Sequence, residues 1–216
     1  MPGTGRFVPA RVGVDEVDAA WESMRRRNPR LFDGPLWHVG GVSRNGHGGV
    51  TLHVLESSYR MHAVAASGLH TGVRPLGVKG IVQDGTRLLV GRRSLEAHAY
   101  PGAWELLPGG TVEPGSTPLE AFERELREEA AATADRRPVA VALFLDEVAG
   151  TWEIVFRCHA SLRAESPSAD GWEHSERRLV TAAEAAHLGL TPAAQEVLSL
   201  ILPDAGAAVP RREILE

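Results

Sequence analysis

Residues 109–132 read GGTVEPGSTPLEAFERELREEAAA. The segment has two halves, a glycine- and proline-rich turn and a helix. Thr117 is a good N-cap, Pro118 suits the first helical position, and Glu120 stands where a capping box wants a carboxylate. Leu119, Phe122, Leu126 and Ala130 recur at steps of three and four, so they share one face. Glu125, Glu128 and Glu129 share another, because residues three and four apart are neighbours on a helix. At ~100° per residue the acidic stripe lies roughly 120° from the apolar one. One side is expected to pack inward and the other to face a cleft.

Three neighbouring carboxylates repel one another. Two readings follow: a solvated acidic face, or a cation site. A divalent cation turns the repulsion into ligation, and a hard cation such as Mg²⁺ takes oxygen ligands while keeping waters or phosphate oxygens in its shell.

The stretch resembles the Nudix box, G-x5-E-x7-R-E-U-x-E-E-x-G-U, where U is aliphatic. Gly110 matches the first glycine, and Arg124-Glu125-Leu126 with Glu128-Glu129 match the charged core at the correct spacing. Ser116 stands where the family has its first glutamate, and Ala131 where it has its second glycine. The lead-in Pro101-Gly102-Ala103-Trp104-Glu105-Leu106-Leu107-Pro108-Gly109-Gly110 is also of the family's type. The resemblance implies an α/β/α sandwich with a mixed sheet and a Mg²⁺-dependent diphosphate hydrolase, with Mn²⁺ as the alternative ion.

Diphosphate hydrolysis needs anionic phosphates neutralised and a water made nucleophilic, and bound Mg²⁺ does both. Glu125 and Glu129 are the first candidates for direct ligands, with Glu128 as ligand or general base. Gly109 and Gly110 leave room for close backbone approach to phosphate. In the family the arginine matching Arg124 orients the glutamates and is partnered by the box's first glutamate. Ser116 supplies no such charge, which leaves Glu120, Glu128 and Glu113 as replacement partners. Ala131 is expected to lengthen the helix toward Thr133. The family often recruits a further acid from outside the box. The segment Asp170-Gly171-Trp172-Glu173-His174-Ser175-Glu176 offers Glu173 and Glu176 as candidate bases, against the plainer reading of exposed loop residues. His174 reads as an exposed histidine or a phosphate contact, and Trp172 as core or as a stacking platform for a base. Arg92 and Arg93 either face the phosphates or form a solvated strand end.

Composition sets limits on all of this. The chain has 216 residues, 43% hydrophobic and 24% charged, which is ordinary for a globular protein. Its formal net charge of −5 argues against a nucleic-acid-binding surface. The one cysteine, Cys158, allows no intrachain disulfide and no cysteine-rich zinc site, and it reads as a packed thiol. No apolar run reaches ~18 residues, so no membrane span is expected. The N-terminus lacks the apolar core of a signal peptide, and a cytoplasmic location is expected.

Outward from the box, residues 1–13 show no period. Asp15 to Arg27 predicts a helix with Val17, Trp21 and Met24 on one face and Arg25-Arg26-Arg27 in its last turn, where positive charge suits the helix dipole. Leu36 to Val42 and Val50 to Leu55 predict a hairpin, and Tyr59 to Ala66 a further strand. Asn28 to Pro35 with Ser58-Tyr59-Arg60 loosely resembles the N-terminal part of UDP-sugar pyrophosphatase-type Nudix proteins. Val78 to Gln83 and Thr86 to Arg92 flank a hairpin turn at Asp84-Gly85. Val139 to Val148 and Thr151 to Leu162 predict a second hairpin, with a polar loop from Glu165 to Gly171 and a short strand from Arg177 to Val180. Thr181 with Glu184 predicts a capped helix ending at Gly189, and Thr191-Pro192 a last helix with Val197, Leu198 and Ile201 inward. The expected organisation is a small α+β N-terminal extension over 1–72, a Nudix hydrolase domain over 73–205 and a tail over 206–216.

The leading functional expectation is a hydrolase of a nucleoside diphosphate linked to another moiety, such as the nucleotide sugar UDP-glucose. The alternative is a catalytically weak or inactive nucleotide-binding protein on the same fold. No nucleic-acid or membrane partner is expected, and the resemblance implies a homodimer as one assembly.

Overall fold

The computed structural model describes residues 5–97, 99–162 and 173–199. His98, Trp172, Ile201, the 165–171 loop and the 206–216 tail lie outside the described residues. The helices are α1 (Val14–Arg27), α2 (Tyr59–Ala63), α3 (Pro118–Ala130), α4 (Ala182–Ala185) and α5 (Pro192–Ser199). The strands are β1 (Pro35–Arg44), β2 (Val50–Ser58), β3 (Leu76–Asp84), β4 (Arg87–Arg93), β5 (Trp104–Leu106), β6 (Gly109–Thr111), β7 (Val139–Asp146), β8 (Thr151–His159) and β9 (His174–Thr181).

β1 and β2 form a two-stranded ribbon; the other strands form a sheet of order β5-β4-β3-β8-β7, with β6 pairing β3 and β9 pairing β4. β4 is antiparallel to β5 and β9, and β3 to β4 and β6. β3 and β8 run parallel: the Trp152 N–H donates to the Pro75 carbonyl and the Ala160 N–H to the Gln83 carbonyl, at one constant offset. The architecture is therefore mixed α+β with a mixed sheet, as the sequence predicts. No helix among the described residues is long and apolar enough to cross a membrane.

The chain forms two compact units, each drawn from three segments. The first comprises Met1–Lys79, Gly109–Arg124 and Val141–Ile154. Its core gathers Val17, Trp21, Leu36, Met61, Ala63, Val64 and Val73. α1 carries Asp15 and Glu16 in its first turn and Arg25-Arg26-Arg27, all exposed, in its last, so both ends suit the dipole. The segment from Tyr59 is not a strand as predicted. It folds as α2 followed by a 3-10 turn, Val64–Ser67, ended by Gly68 in the left-handed region at φ 82°. Met61 and Val64, three residues apart and so on one side of the helical path, are both buried. The Thr71 hydroxyl donates to the Met61 carbonyl at 2.6 Å, and Arg60 bridges Asp18 at 3.1 Å and Asp33 at 3.4 Å.

The second unit comprises Gly80–Pro108, Glu125–Ala140 and Val155–Glu216. The β3–β4 hairpin turns one residue later than predicted, through Gly85 and Thr86, with Gly85 at φ 61°. β5 lies inside the lead-in, to which the sequence reading assigns no strand, and pairs with β4 at Val90, Gly91 and Arg92. β9 begins three residues earlier than predicted. α4 keeps the predicted capping box, the Thr181 hydroxyl accepting from the Glu184 N–H at 3.2 Å, but ends at Ala185 rather than reaching Gly189. The Cys158 thiol is buried as expected, and burial, with Asp135 behind it, pushes it up to about 11.

Candidate functional site

Helix α3 starts as its sequence requires. The Glu120 carboxylate accepts from the Thr117 N–H at 2.8 Å and from the Thr117 hydroxyl at 2.9 Å, while the Thr117 hydroxyl accepts from the Glu120 N–H at 3.2 Å. These bonds, the backbone one first, hold the Glu120 carboxyl below its ordinary value. With Glu120 so engaged, the Arg124 guanidinium donates to the Thr111 carbonyl at 3.2 Å. Phe122, Leu126 and Ala130 form the buried face. Leu119, predicted on that face, is half-buried.

The helix ends otherwise than expected. Ala131 does not extend it; the residue sits in the left-handed region at φ 50°. The Ala131 N–H donates to the Arg127 carbonyl at 3.1 Å, the single 5→1 bond of an αL cap. Ala131, at the position of the family's second glycine, thus takes a left-handed conformation against the steric preference of its Cβ.

Along the acidic stripe Glu125 is half-buried, Glu128 exposed and Glu129 buried at 8% exposure. The stripe is therefore graded rather than uniform. Among the described residues no three His, Cys, Asp or Glu side chains are gathered tightly enough to hold a metal ion. In donor chemistry the stripe suits a hard divalent cation: three carboxylates, all oxygen, on one side of one helix.

The surroundings of Glu129 come from strand register. β4 lies between β5 and β9, and Gly91 is opposite Glu105 on one side and Arg177 on the other. Side chains two apart on a strand share a face, so Arg93 joins that row. A bulge between Arg92 and Arg93 skips Ser175 and sets His174 opposite Arg93. Such an extra residue re-aims the side chains that follow it. Here it turns His174 to the same face, where it is 7% exposed. His174 Nε2 is 2.8 Å from Glu105 Oε1, and the same oxygen is 2.5 Å from Arg93 Nη1. His174 Nδ1 faces Glu129 Oε1 at 3.8 Å. Arg177 Nη1 donates to the Glu129 carbonyl. Burial works against the Arg93 charge, but Glu105 first, then Glu173 and Glu129, more than offset it and hold the guanidinium above its ordinary value. For Arg177, burial outweighs the Glu129 charge and lowers it.

These positions revise several sequence expectations. His174 is a buried strand residue, not an exposed loop one. Arg93 is no solvated strand end: it also contacts Glu173 at 3.6 Å and donates from Nε to the Ala99 carbonyl at 2.7 Å. Arg92 is exposed and donates from Nε to the Gly102 carbonyl at 3.1 Å. Glu176 lies on β9, not in a loop, and pairs with Arg178 at 2.5 Å, whose guanidinium stands 4.9 Å over the Trp104 ring. Glu173 and Glu129 thus come to one cluster through Arg93, while Glu176 is engaged elsewhere.

In the first unit Gly109 and Gly110 lie on β6 opposite Lys79 and Val78. A Cβ at Gly109 would stand 3.2 Å from Lys79 Nζ, so the missing side chain lets that cation approach the turn. Sequence reasoning missed Lys79, Glu105 and Arg177. Lys79 is a lone charge within an apolar strand pattern, and Arg177 stands in a charged run between Glu176 and Arg178. The one available signal for Glu105 was a carboxylate between Trp104 and Leu106, in an otherwise apolar lead-in.

A NUDIX domain model matches residues 73–201, more than half of the chain. The chain belongs to the Nudix family, and its class is that of the Nudix-type pyrophosphohydrolases. Among solved structures it is similar to the NUDIX domain of Shewanella oneidensis NrtR, complexed with ADP ribose, at 16% identity over 61% of this chain and 88% of that one, TM-score 0.50. It is similar also to a bifunctional NMN adenylyltransferase/ADP ribose pyrophosphatase from Francisella tularensis, at 18% identity over 67% of this chain and 45% of that one, TM-score 0.50. A MutT NUDIX hydrolase from Burkholderia pseudomallei matches at 21% identity over 57% of this chain and 95% of that one, TM-score 0.48. At these identities the likeness is one of fold. No curated protein sequence matches the chain.

Proposed function

We propose that this protein hydrolyses the diphosphate of a nucleoside diphosphate linked to another moiety, nucleotide sugars such as UDP-glucose among them, with Mg²⁺ or Mn²⁺ as cofactor. The observation that carries the reading is the graded acidic stripe of α3: Glu128 exposed, Glu125 half-buried and Glu129 buried on one side of one helix. Glu125, Glu128 and Glu129 would hold the ion, which when bound neutralises phosphate charge and acidifies water. Arg124, tied to the Thr111 carbonyl, joins helix to glycine turn and so orients the stripe. Gly109 and Gly110, without side chains, leave room for phosphate to approach the backbone. Glu173 is the favoured proton acceptor, ahead of Glu176, because it shares Arg93 with the Glu129 cluster. The substrate class is supported by the ADP ribose carried by the NrtR domain. A cytoplasmic setting, a homodimer, and the division into an extension over 1–72 and a hydrolase domain over 73–205 belong to the same proposal.

The test is a hydrolysis screen with Mg²⁺ over nucleotide sugars, ADP-ribose, dinucleoside polyphosphates and nucleoside triphosphates, run beside Glu129→Gln. The variant is expected to lose turnover by orders of magnitude with its fold intact; unchanged turnover would remove Glu129 from the site.

A second reading, nucleotide binding without efficient cleavage, has Ser116 in its favour. The family's arginine partner is missing there, and the Ser116 N–H only closes a turn onto the Glu113 carbonyl at 3.1 Å. Calorimetry with nucleotides beside phosphate release separates the two readings: binding without release supports the second.

A further inference from the structure

Among the described residues, two that are not glycine hold a positive φ, Ala131 and Tyr100. Ala131 closes helix α3, which accounts for it. Tyr100, at φ 52°, closes no helix. It is bulky and it precedes Pro101, and both features disfavour that backbone shape. Such strain persists only where the surroundings impose it, and it gathers at ligand sites.

Here two arginines impose it. Tyr100 opens a turn, its carbonyl accepting from the Ala103 N–H at 3.1 Å, with Gly102 at φ 77°. Before Tyr100, Arg93 Nε donates to the Ala99 carbonyl at 2.7 Å; after it, Arg92 Nε donates to the Gly102 carbonyl at 3.1 Å. The turn is thus tied to β4 on both sides of the strained residue. Leu95 reaches the same turn: a Cβ at Gly102 would stand 3.3 Å from Leu95 Cδ2. Leu95 is 83% exposed, Arg92 is exposed and Tyr100 is half-buried. An aliphatic side chain, an aromatic ring and a cation therefore meet around one turn. That turn adjoins the acidic stripe, because the Arg93 guanidinium that holds Ala99 also holds Glu105 and feels the charge of Glu129. A diphosphate has no use for an aliphatic and aromatic surface, whereas the flat face of a base does.

We infer that Tyr100, with Leu95 beside it, is the platform on which the nucleobase of the substrate stacks, held in its strained shape by Arg92 and Arg93. This rests on the reading of the substrate as a nucleoside diphosphate derivative. Stacking asks only for a π-face, so adenine and uracil are both accepted.

Two probes that cannot be cleaved at the bridge share one diphosphate and differ by the nucleoside: α,β-methylene-ADP and methylenediphosphonate. Their affinities with Mg²⁺ are measured by calorimetry on the full chain for wild type, Tyr100→Phe, Tyr100→Ala and Tyr100→Gly, together with thermal midpoints. Tyr100→Phe keeps the ring and is expected to bind both probes as wild type does. Tyr100→Ala and Tyr100→Gly are expected to bind α,β-methylene-ADP about 10-fold or more weakly and methylenediphosphonate unchanged. Tyr100→Gly takes the positive φ without a Cβ penalty, so it is expected to be the more stable of these two, yet no tighter for the nucleotide. Nucleotide affinity that recovers with stability from Tyr100→Ala to Tyr100→Gly would assign the effect to loop shape and overturn the inference. Equal losses for both probes, or no loss in either variant, overturn it too, and in each case the diphosphate reading stands. Wild type that binds neither probe overturns the substrate reading itself, and the inference with it.

Discussion

The two ends of helix α3 are made in opposite ways. At the first, Thr117 and Glu120 satisfy each other's donors within four residues, and the contacts match what the sequence spells. At the last, an alanine holds a left-handed conformation, and Glu129 is buried against His174 and Arg177, which are more than forty residues further along the chain. A local device defines where the helix begins. Where it stops, and how deep its final carboxylate sits, depends on β4, β9 and their register. The difference also bears on function: the self-contained end gives direction to the acidic stripe, and the dependent end gives it its gradient of burial.

The sharpest way to break the comparison is Gly91→Ala. The new Cβ meets Leu107 and His174 inside van der Waals distance, and such overpacking costs about 1–3 kcal/mol. Its damage is expected at the far end of α3, as a lower thermal midpoint together with weaker Mn²⁺ binding; a variant that loses neither shows that the His174 pocket does not shape the site. Thr117→Ala addresses the other end. Removing a threonine cap costs about 1 kcal/mol, read by denaturant unfolding, and Mn²⁺ affinity is expected to change less than in Gly91→Ala. Ala131→Gly should raise stability by roughly 0.5–1 kcal/mol, because glycine takes the left-handed conformation without a Cβ penalty; a destabilised variant would mean that the Ala131 methyl packs usefully.

The smallest effect is electrostatic. Glu120 and Glu184 are both held below the ordinary carboxylate value by their capping threonines. A folded value below the unfolded one means that the contribution is fully present above the unfolded pKa and is lost as pH falls through the folded pKa. Carbon-detected NMR titration should find both depressed, and Thr117→Ala should return Glu120, but not Glu184, to its ordinary range.

The same pair of boxes shows how far a sequence can be read. Thr117-Pro-Leu-Glu120 and Thr181-Ala-Ala-Glu184 carry equivalent capping chemistry and both form it, yet one opens thirteen helical residues and the other four. A cap specifies a start; length is set by what the following residues pack on. Tyr59–Ala63 teaches the same in reverse. Its composition was compatible with a strand, and burial of Met61 and Val64 on one side made it a helix. The candidate site divides likewise. The acidic stripe and the glycine turn are local in sequence, so their spacing was visible there. Glu105 and Arg177 were invisible and His174 was misread, because their meeting depends on a three-strand register and on one bulged serine.

What the sequence determined by itself is the chemistry offered by α3, its caps and its helical period, all of which arise from contacts within a turn or two of the backbone. The tertiary structure decided which of three equivalent glutamates is buried, and which arginine and histidine attend it. Those choices follow from pairing between strands distant in the chain, where a shift of one residue turns a side chain from one face of a sheet to the other.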